Sequence, residues 1–236
     1  MKSLILGALC SLALLPSAYA EGFEYQDQRD TVDNELVAFE HGRDRASCRS
    51  CSEEVWQHVR EDDVVYQLPA GRTNLRTVPR DVTVLLAAGT DLDSIRHAPP
   101  GLRVLDVSGT AVSSVRYLPS GLEVFLASDT QVSSIRYLPG SLKWLDISRS
   151  RVSSLRYLPE GLEYLDASDT DVESVRYLPS ALKHLRIRNT EVNSLCYLPS
   201  GLETLDASGS TDRTSCVASS VIILGANRGG YVEQCH

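Results

Sequence analysis

Beyond residue 20 the sequence contains no apolar run long enough to cross a bilayer, which excludes a lasting helical anchor in that part of the chain. It also lacks an excess of positive charge. Its 23 Lys and Arg stand against 31 Asp and Glu, a formal net charge of −8, and this excludes a general nucleic-acid binder. Histidine is scarce, and His41, His58, His97 and His236 are scattered along the chain. Together with the Ser and Cys inventory they form no nucleophile–base motif. Neither a metal nor a cofactor is expected.

The first twenty residues are different. Lys2 gives a positive start, "LILGALCSLALL" an apolar stretch, and Ala18, Tyr19 and Ala20 a small-x-small cleavage site. This is the pattern of a secretory signal peptide cut after Ala20. Cys10 lies inside the apolar stretch, and Leu9 before it is too large for a typical lipoprotein site. The expected mature chain starts at Glu21 and is periplasmic or secreted. Loss of Lys2 takes its net charge from −8 to −9 and leaves five cysteines, in keeping with an oxidising compartment. Five is odd, so at least one thiol is free or pairs between chains.

From residue 81 to residue 210 the sequence repeats every twenty residues without a slip. Blocks start at Asp81, Gly101, Gly121, Ser141, Gly161, Ala181 and Gly201, after a degenerate half-block "TNLRTVPR". Their outline is GLxxLDxSxTxVxSxRYLPS. In the block from Gly101 the inward set is Leu102, Leu105, Val107, Val112, Val115 and Leu118. Leu105 and Val107 are two apart, the period of a strand with one buried face. Pro119 cannot donate a ladder hydrogen bond and belongs to the turn. One such coil cannot bury its own apolar side, whereas stacked coils can. The pattern therefore predicts a solenoid with one short parallel strand per block.

Leu102, Leu105, Val107, Thr110 and Val112 fill the frame LxxLxLxxNxL, and Leu155, Leu158, Pro159 and Leu162 fill the turn LxxLPxxL. On these residues the chain resembles the leucine-rich repeat, in its short twenty-residue bacterial class. It is similar to the repeat domains of bacterial effectors, without the catalytic domain that some of them carry. The resemblance covers roughly residues 73–210. It implies an α/β-type solenoid, mostly β, curved, with a parallel sheet on the concave face. The family's usual Asn is here Thr90, Thr110, Thr130, Ser150, Thr170, Thr190 or Ser210.

The ends of such a stack expose apolar edges and need caps. Residues 21–46 are charged and read as a loose helix or a disordered arm. Residues 47–72 form the expected N-terminal cap. Within it Ser50 and Glu53 stand at capping-box spacing, and Val55, Trp56 and Val59 share one helix face. Residues 211–236 form the expected C-terminal cap. Cys196 and Cys216 fall at one block position in consecutive coils, and a coil spacing of roughly 5 Å suits a disulfide. Cys216–Cys235 is the competing pair. Cys48 and Cys51 make a CxxC ahead of the helix. Without a thioredoxin-like βαβ context, a disulfide in the cap is the preferred reading over a redox dithiol.

Stacking turns block positions into columns. Arg103, Glu123, Lys143, Glu163, Lys183 and Glu203 alternate in sign, which reads as register control between coils. Next to them Val84, Val104 and Val124 give way to Trp144, Tyr164 and His184, flanked by Asp146, Asp166 and Arg186. A third column is mostly Ser, broken by Arg188, with Arg149, Asp169 and Asn189 following. Exposed Trp, Tyr and Arg tend to carry interface energy, so this concave patch is the expected site for a protein partner. Asp146 and Asp166 lie on an open sheet with no lid or pocket to displace their pKa values, and a catalytic pair is not expected. On the back, Arg96, Arg116, Arg136, Arg156 and Arg176 form one row and Tyr117 to Tyr197 the next. Stacking of guanidinium on ring is the favoured explanation. The alternative is a ridge for a glycan or another anionic polymer.

Overall fold

The computed structural model describes residues 53–210, 217 and 220–224. The signal peptide, the charged arm, Cys48, Cys51, Cys216, Cys235 and most of the C-terminal cap lie outside the described residues.

One four-residue helix, α1 (Glu53–Trp56), precedes nine three-residue strands. These are β1 (Val65–Gln67), β2 (Val84–Leu86), β3 (Val104–Asp106), β4 (Val124–Leu126), β5 (Trp144–Asp146), β6 (Tyr164–Asp166), β7 (His184–Arg186), β8 (Thr204–Asp206) and β9 (Ile222–Leu224). All pair in parallel and in sequence order as a single sheet. From β2 to β8 the register advances by twenty residues, so that Val84, Val104, Val124, Trp144, Tyr164, His184 and Thr204 lie side by side. Columns in the sequence are therefore columns in space. The architecture is a leucine-rich-repeat stack with almost no helix.

Each coil follows from its residue types. The middle residue of every strand from β2 to β8, such as Leu105 or Leu145, is buried inside the stack with Leu102, Val107, Val112 and Val115 and their equivalents. After the strand the chain bends through one left-handed residue: Gly89, Gly109, Asp129, Arg149, Asp169, Asn189 and Gly209, with φ between 51° and 76°. Gly meets this conformation without steric penalty, and Asp and Asn accept it more readily than other residues. At the next position Thr110 donates its hydroxyl to the carbonyl of Val107 at 2.6 Å, and Thr90, Thr130, Thr170 and Thr190 make the same bond in their own coils. Threonine thus closes the bend locally. The Ser150 hydroxyl is buried without a partner.

The sheet's outer face is divided. On β2, β3 and β4 all three residues are buried, whereas β5, β7 and β8 show a half-buried, buried, half-buried pattern. The difference arises from residues 53–63, which lie over the first coils as a strap. Val55 is fully buried, in one cluster with Val84, Leu86, Val104, Val124 and Leu126, and Trp56, Val59 and Trp144 pack on its margin. The N-terminal helix, within the residues 47–72 expected as a cap, therefore packs on the outward face of β2, β3 and β4. Five apolar side chains facing outward supply the physical reason, because burying each is worth about 1.5–3 kcal/mol. Polar contacts fix the strap. Arg103 pairs with Asp63, both side chains nearly buried, and donates to the His58 carbonyl at 2.8 Å. Burial pushes the Asp63 carboxyl up, but hydrogen bonds from Arg60, Arg103 and Thr83 outweigh it and hold the pKa below its ordinary value.

Candidate functional site

Where the strap ends, the aromatic and charged patch begins. Trp144 and Tyr164 stack with ring centres 3.6 Å apart and planes inclined by 5°. His58 of the strap meets Trp144 edge-on at 4.6 Å, and the Arg186 guanidinium lies 5.7 Å from the Tyr164 ring centre. Arg186 sits 3.7 Å from both Asp166 and Glu54, and Arg188 sits 3.8 Å from Asp206. His184 Nδ1 and the Thr204 hydroxyl are 2.9 Å apart. Tyr164 is 6% exposed and Trp144 half-buried. The charge column beside them pairs across coils, with Glu163 2.8 Å from Lys183 and 3.7 Å from Lys143. Strap and strands together border a groove of about 570 Å³ that includes His58, Lys143, Trp144, Tyr164 and His184.

The aspartates do not share one environment. Asp146 and Asp166 each accept the backbone N–H of the serine two residues on, at 2.8 and 2.9 Å, a local turn that explains the residue type. Asp106 makes the same bond, but it is fully buried under the strap and its second carboxylate oxygen has no partner. Burial raises its pKa. Burial likewise pushes Asp146 up to about 6, against the Ser148 hydrogen bond and with help from the negative charges of Asp166 and Glu54. For Asp146 this corrects the sequence expectation of an open sheet with nothing to displace its pKa: Glu54 of the strap stands close enough to act on it. Burial also raises the Tyr164 hydroxyl and lowers the His58 imidazole, the latter with the Arg103 charge acting in the same direction. The Trp144 indole nitrogen and His58 Nε2 are buried without a hydrogen-bond partner.

Arg149, Asp169, Arg188 and Asn189 are exposed, whereas Ser148 and Ser168 of the third column are buried. Arg149 and Asp169 occupy left-handed bends, and Asn189 donates to Asp169 at 2.8 Å. On the opposite side, every predicted arginine of the back row lies over the tyrosine one coil further on. Arg96 covers Tyr117, Arg116 covers Tyr137, Arg136 covers Tyr157, Arg156 covers Tyr177 and Arg176 covers Tyr197, at 4.6–5.5 Å from guanidinium carbon to ring centre. From Arg116 onward Nη2 also donates to that tyrosine's hydroxyl at 3.1–3.4 Å. Adjacent cations at coil spacing repel by about 1 kcal/mol in water, and the tyrosines offset this through the cation–π attraction. Cys196 is exposed, but its candidate partner Cys216 is outside the described residues.

Sequence reasoning missed Glu54, His58 and Arg60 as neighbours of the patch. The signal was present. Val84, Leu86, Val104, Val124 and Leu126 are apolar on a face meant for water, and Val55, Trp56 and Val59 form a matching stripe. Among the described residues no group of acidic, His and Cys side chains is arranged to hold a metal ion. No described helix is long and apolar enough to cross a membrane.

No family model matches the chain, and no curated protein matches it in sequence. Solved structures do. YopM from Yersinia enterocolitica WA-314 is 31% identical with a TM-score of 0.60, over 64% of this chain and 34% of that one. YopM from Yersinia pestis, a leucine-rich effector protein, is 23% identical with a TM-score of 0.52, over 66% of this chain and 52% of that one. Internalin C2 from Listeria monocytogenes is 19% identical with a TM-score of 0.54, over 61% and 70%. This chain thus spans about a third of the first of these and about half of the second. Stacked coils with one parallel strand each define a repeat protein of the solenoid class. In particular, the described residues are a bacterial leucine-rich-repeat domain.

Proposed function

We propose that the chain is an exported, non-catalytic recognition module that holds a protein partner on the concave patch from Trp144 to Arg188. One observation carries this reading. The strap fills the apolar half of the sheet up to Trp144 and reaches beyond it through Glu54, so the Trp144–Tyr164 stack, Arg186, Asp146 and Asp166 are gathered along its border on the half that it covers less. Aromatic and Arg side chains on a rigid scaffold are the usual anchors of interfaces. The raised pKa of Asp146 marks a carboxylate held where folding alone would not favour it. A repeat stack supplies that rigidity through its in-register sheet. Export follows from the signal-peptide pattern, with the periplasm or the medium as destination.

The test is a capture experiment with the mature chain, followed by binding measurements with the captured protein. Trp144→Ala/Tyr164→Ala/Arg186→Ala is expected to weaken binding by more than a hundredfold. Because that variant removes buried rings, Arg186→Glu/Arg188→Glu provides a second test at the charged edge. Binding that survives both variants would place the partner elsewhere. Amino-terminal sequencing of the exported chain should read from Glu21.

A further inference from the structure

We propose that the guanidinium groups of Arg116, Arg136 and Arg156 form a second binding site, for a linear polyanion carrying sulfate or phosphate groups. The site is on the back of the stack, apart from the concave patch. Three observations support it.

First, the row is charged and makes no ion pair among the described residues. Arg60, Arg103, Lys143, Lys183, Arg186 and Arg188 each lie within 4.0 Å of a described carboxylate, whereas no arginine of the back row does. Stacking on tyrosine steadies a guanidinium but leaves its charge in place.

Second, the forks are preorganised. Each is held over a ring and gives one N–H to a tyrosine hydroxyl. Arginine has five such donors, in a planar arrangement that suits tetrahedral oxyanions. All three residues are exposed. Little side-chain freedom remains to be lost on binding.

Third, the site has ends. Ser113, Ser133 and Ser153 stand three residues before these arginines, and Asp93 and Glu173 hold that position in the coils on either side. Ser113 and Ser114 line a groove of about 370 Å³ with Arg116, Tyr117, Arg136 and Tyr137. The groove spans the coils of Arg116 and Arg136, and the serine position runs through three coils in sequence between Asp93 and Glu173. Coils repeat at about 4.8 Å. Each rung offers one open fork, so a chain of anions spaced at that repeat, or a multiple of it, gains by engaging several rungs together.

The experiment titrates the mature chain with a size-defined heparin oligosaccharide and, separately, with inorganic polyphosphate of similar length. De-sulfated oligosaccharide is the control. Wild type is expected to bind at least one charged probe, and which one binds distinguishes a sulfated glycan from a phosphate polymer. Arg116→Lys/Arg136→Lys/Arg156→Lys keeps the charge but removes the planar forks, and is expected to weaken binding more than tenfold. Glu173→Ser extends the hydroxyl-lined row to Arg176 and is expected to tighten it severalfold. That variant disturbs no guanidinium, so it remains informative if the lysine variant loses its fold. Failure of both charged probes to bind above the control would overturn the proposal. So would a folded lysine variant that binds like wild type, or tighter binding that does not follow from Glu173→Ser.

Discussion

Replacing Asp146 by Asn should stabilise the protein at neutral pH, and the gain should disappear in acid. Burial, together with the charges of Asp166 and Glu54, raises this carboxyl from 3.8 to about 6. Between those two values the folded chain retains a proton that the unfolded chain has released. Stability therefore falls as pH rises through that window and levels off above about pH 6. At about 1.4 kcal/mol per pH unit the full penalty is about 3 kcal/mol, and partial solvent access reduces it to about 1–3 kcal/mol. Asn keeps the oxygen that accepts the Ser148 N–H at 2.8 Å and never ionises. Urea unfolding of both proteins at pH 4, 5, 6 and 7 isolates the effect. His58, lowered by its own burial, contributes with the opposite sign to both curves and cancels in the difference. That difference should be near zero at pH 4 and reach its plateau by pH 7. A flat difference, or a variant less stable than wild type at pH 7, would refute the reasoning.

Two further outcomes follow from the same geometry. Arg149 occupies the left-handed bend at φ 52°, where the equivalent residues are Gly89, Gly109 and Gly209; Arg149→Gly should raise the unfolding free energy by about 0.5–1 kcal/mol, since roughly 1–2 kcal/mol of strain is relieved against the greater freedom of an unfolded glycine. Val55 is the fully buried side chain by which the strap packs on the sheet, so Val55→Ala should cost about 2 kcal/mol in urea unfolding and alter Trp144 fluorescence, and a loss below about 0.5 kcal/mol would show that the strap is not held by this contact.

The stack itself was legible because it depends on periodicity. A twenty-residue spacing without a slip fixed the columns, and the sheet register reproduces them one for one, from Val84 beside Val104 to His184 beside Thr204. The Arg–Tyr contact was legible as a pairing of types, but its direction was not. Neighbours in sequence suggest Arg116 with Tyr117, whereas the stack brings Arg116 over Tyr137 of the next coil. The strap escaped because it lies outside the repeat. Its position depends on contacts between residues such as Val55 and Val124, or Arg103 and Asp63, for which no spacing rule exists. Thr110 shows a third case: the sequence reveals a substitution for Asn, and only the fold shows that its hydroxyl returns to its own coil at Val107.

What the strap adds is clearest along the aspartate column. Asp106, Asp146 and Asp166 hold one block position and make one local hydrogen bond each, to Ser108, Ser148 and Ser168. A repeat alone would give them one chemistry. The strap grades them instead. Asp106, beneath it, is sealed and has an unpartnered oxygen. Asp146, at its edge, titrates near 6. Asp166, beyond it, faces Arg186 at 3.7 Å. Leu126 stands between the first two, in the same column and in the same apolar cluster as Val55. A leucine at position 106 would complete that cluster, so the buried aspartate opposes the packing around it. Glu54 extends the gradient from the strap side, since its charge acts on Asp146 while its carboxylate sits 3.7 Å from Arg186. The coils thus set where each carboxylate stands, and the segment that breaks the repeat sets what each one does. A partner that reads the patch from Trp144 to Arg188 would meet both at once, and any change that moved the strap would change the charge it meets.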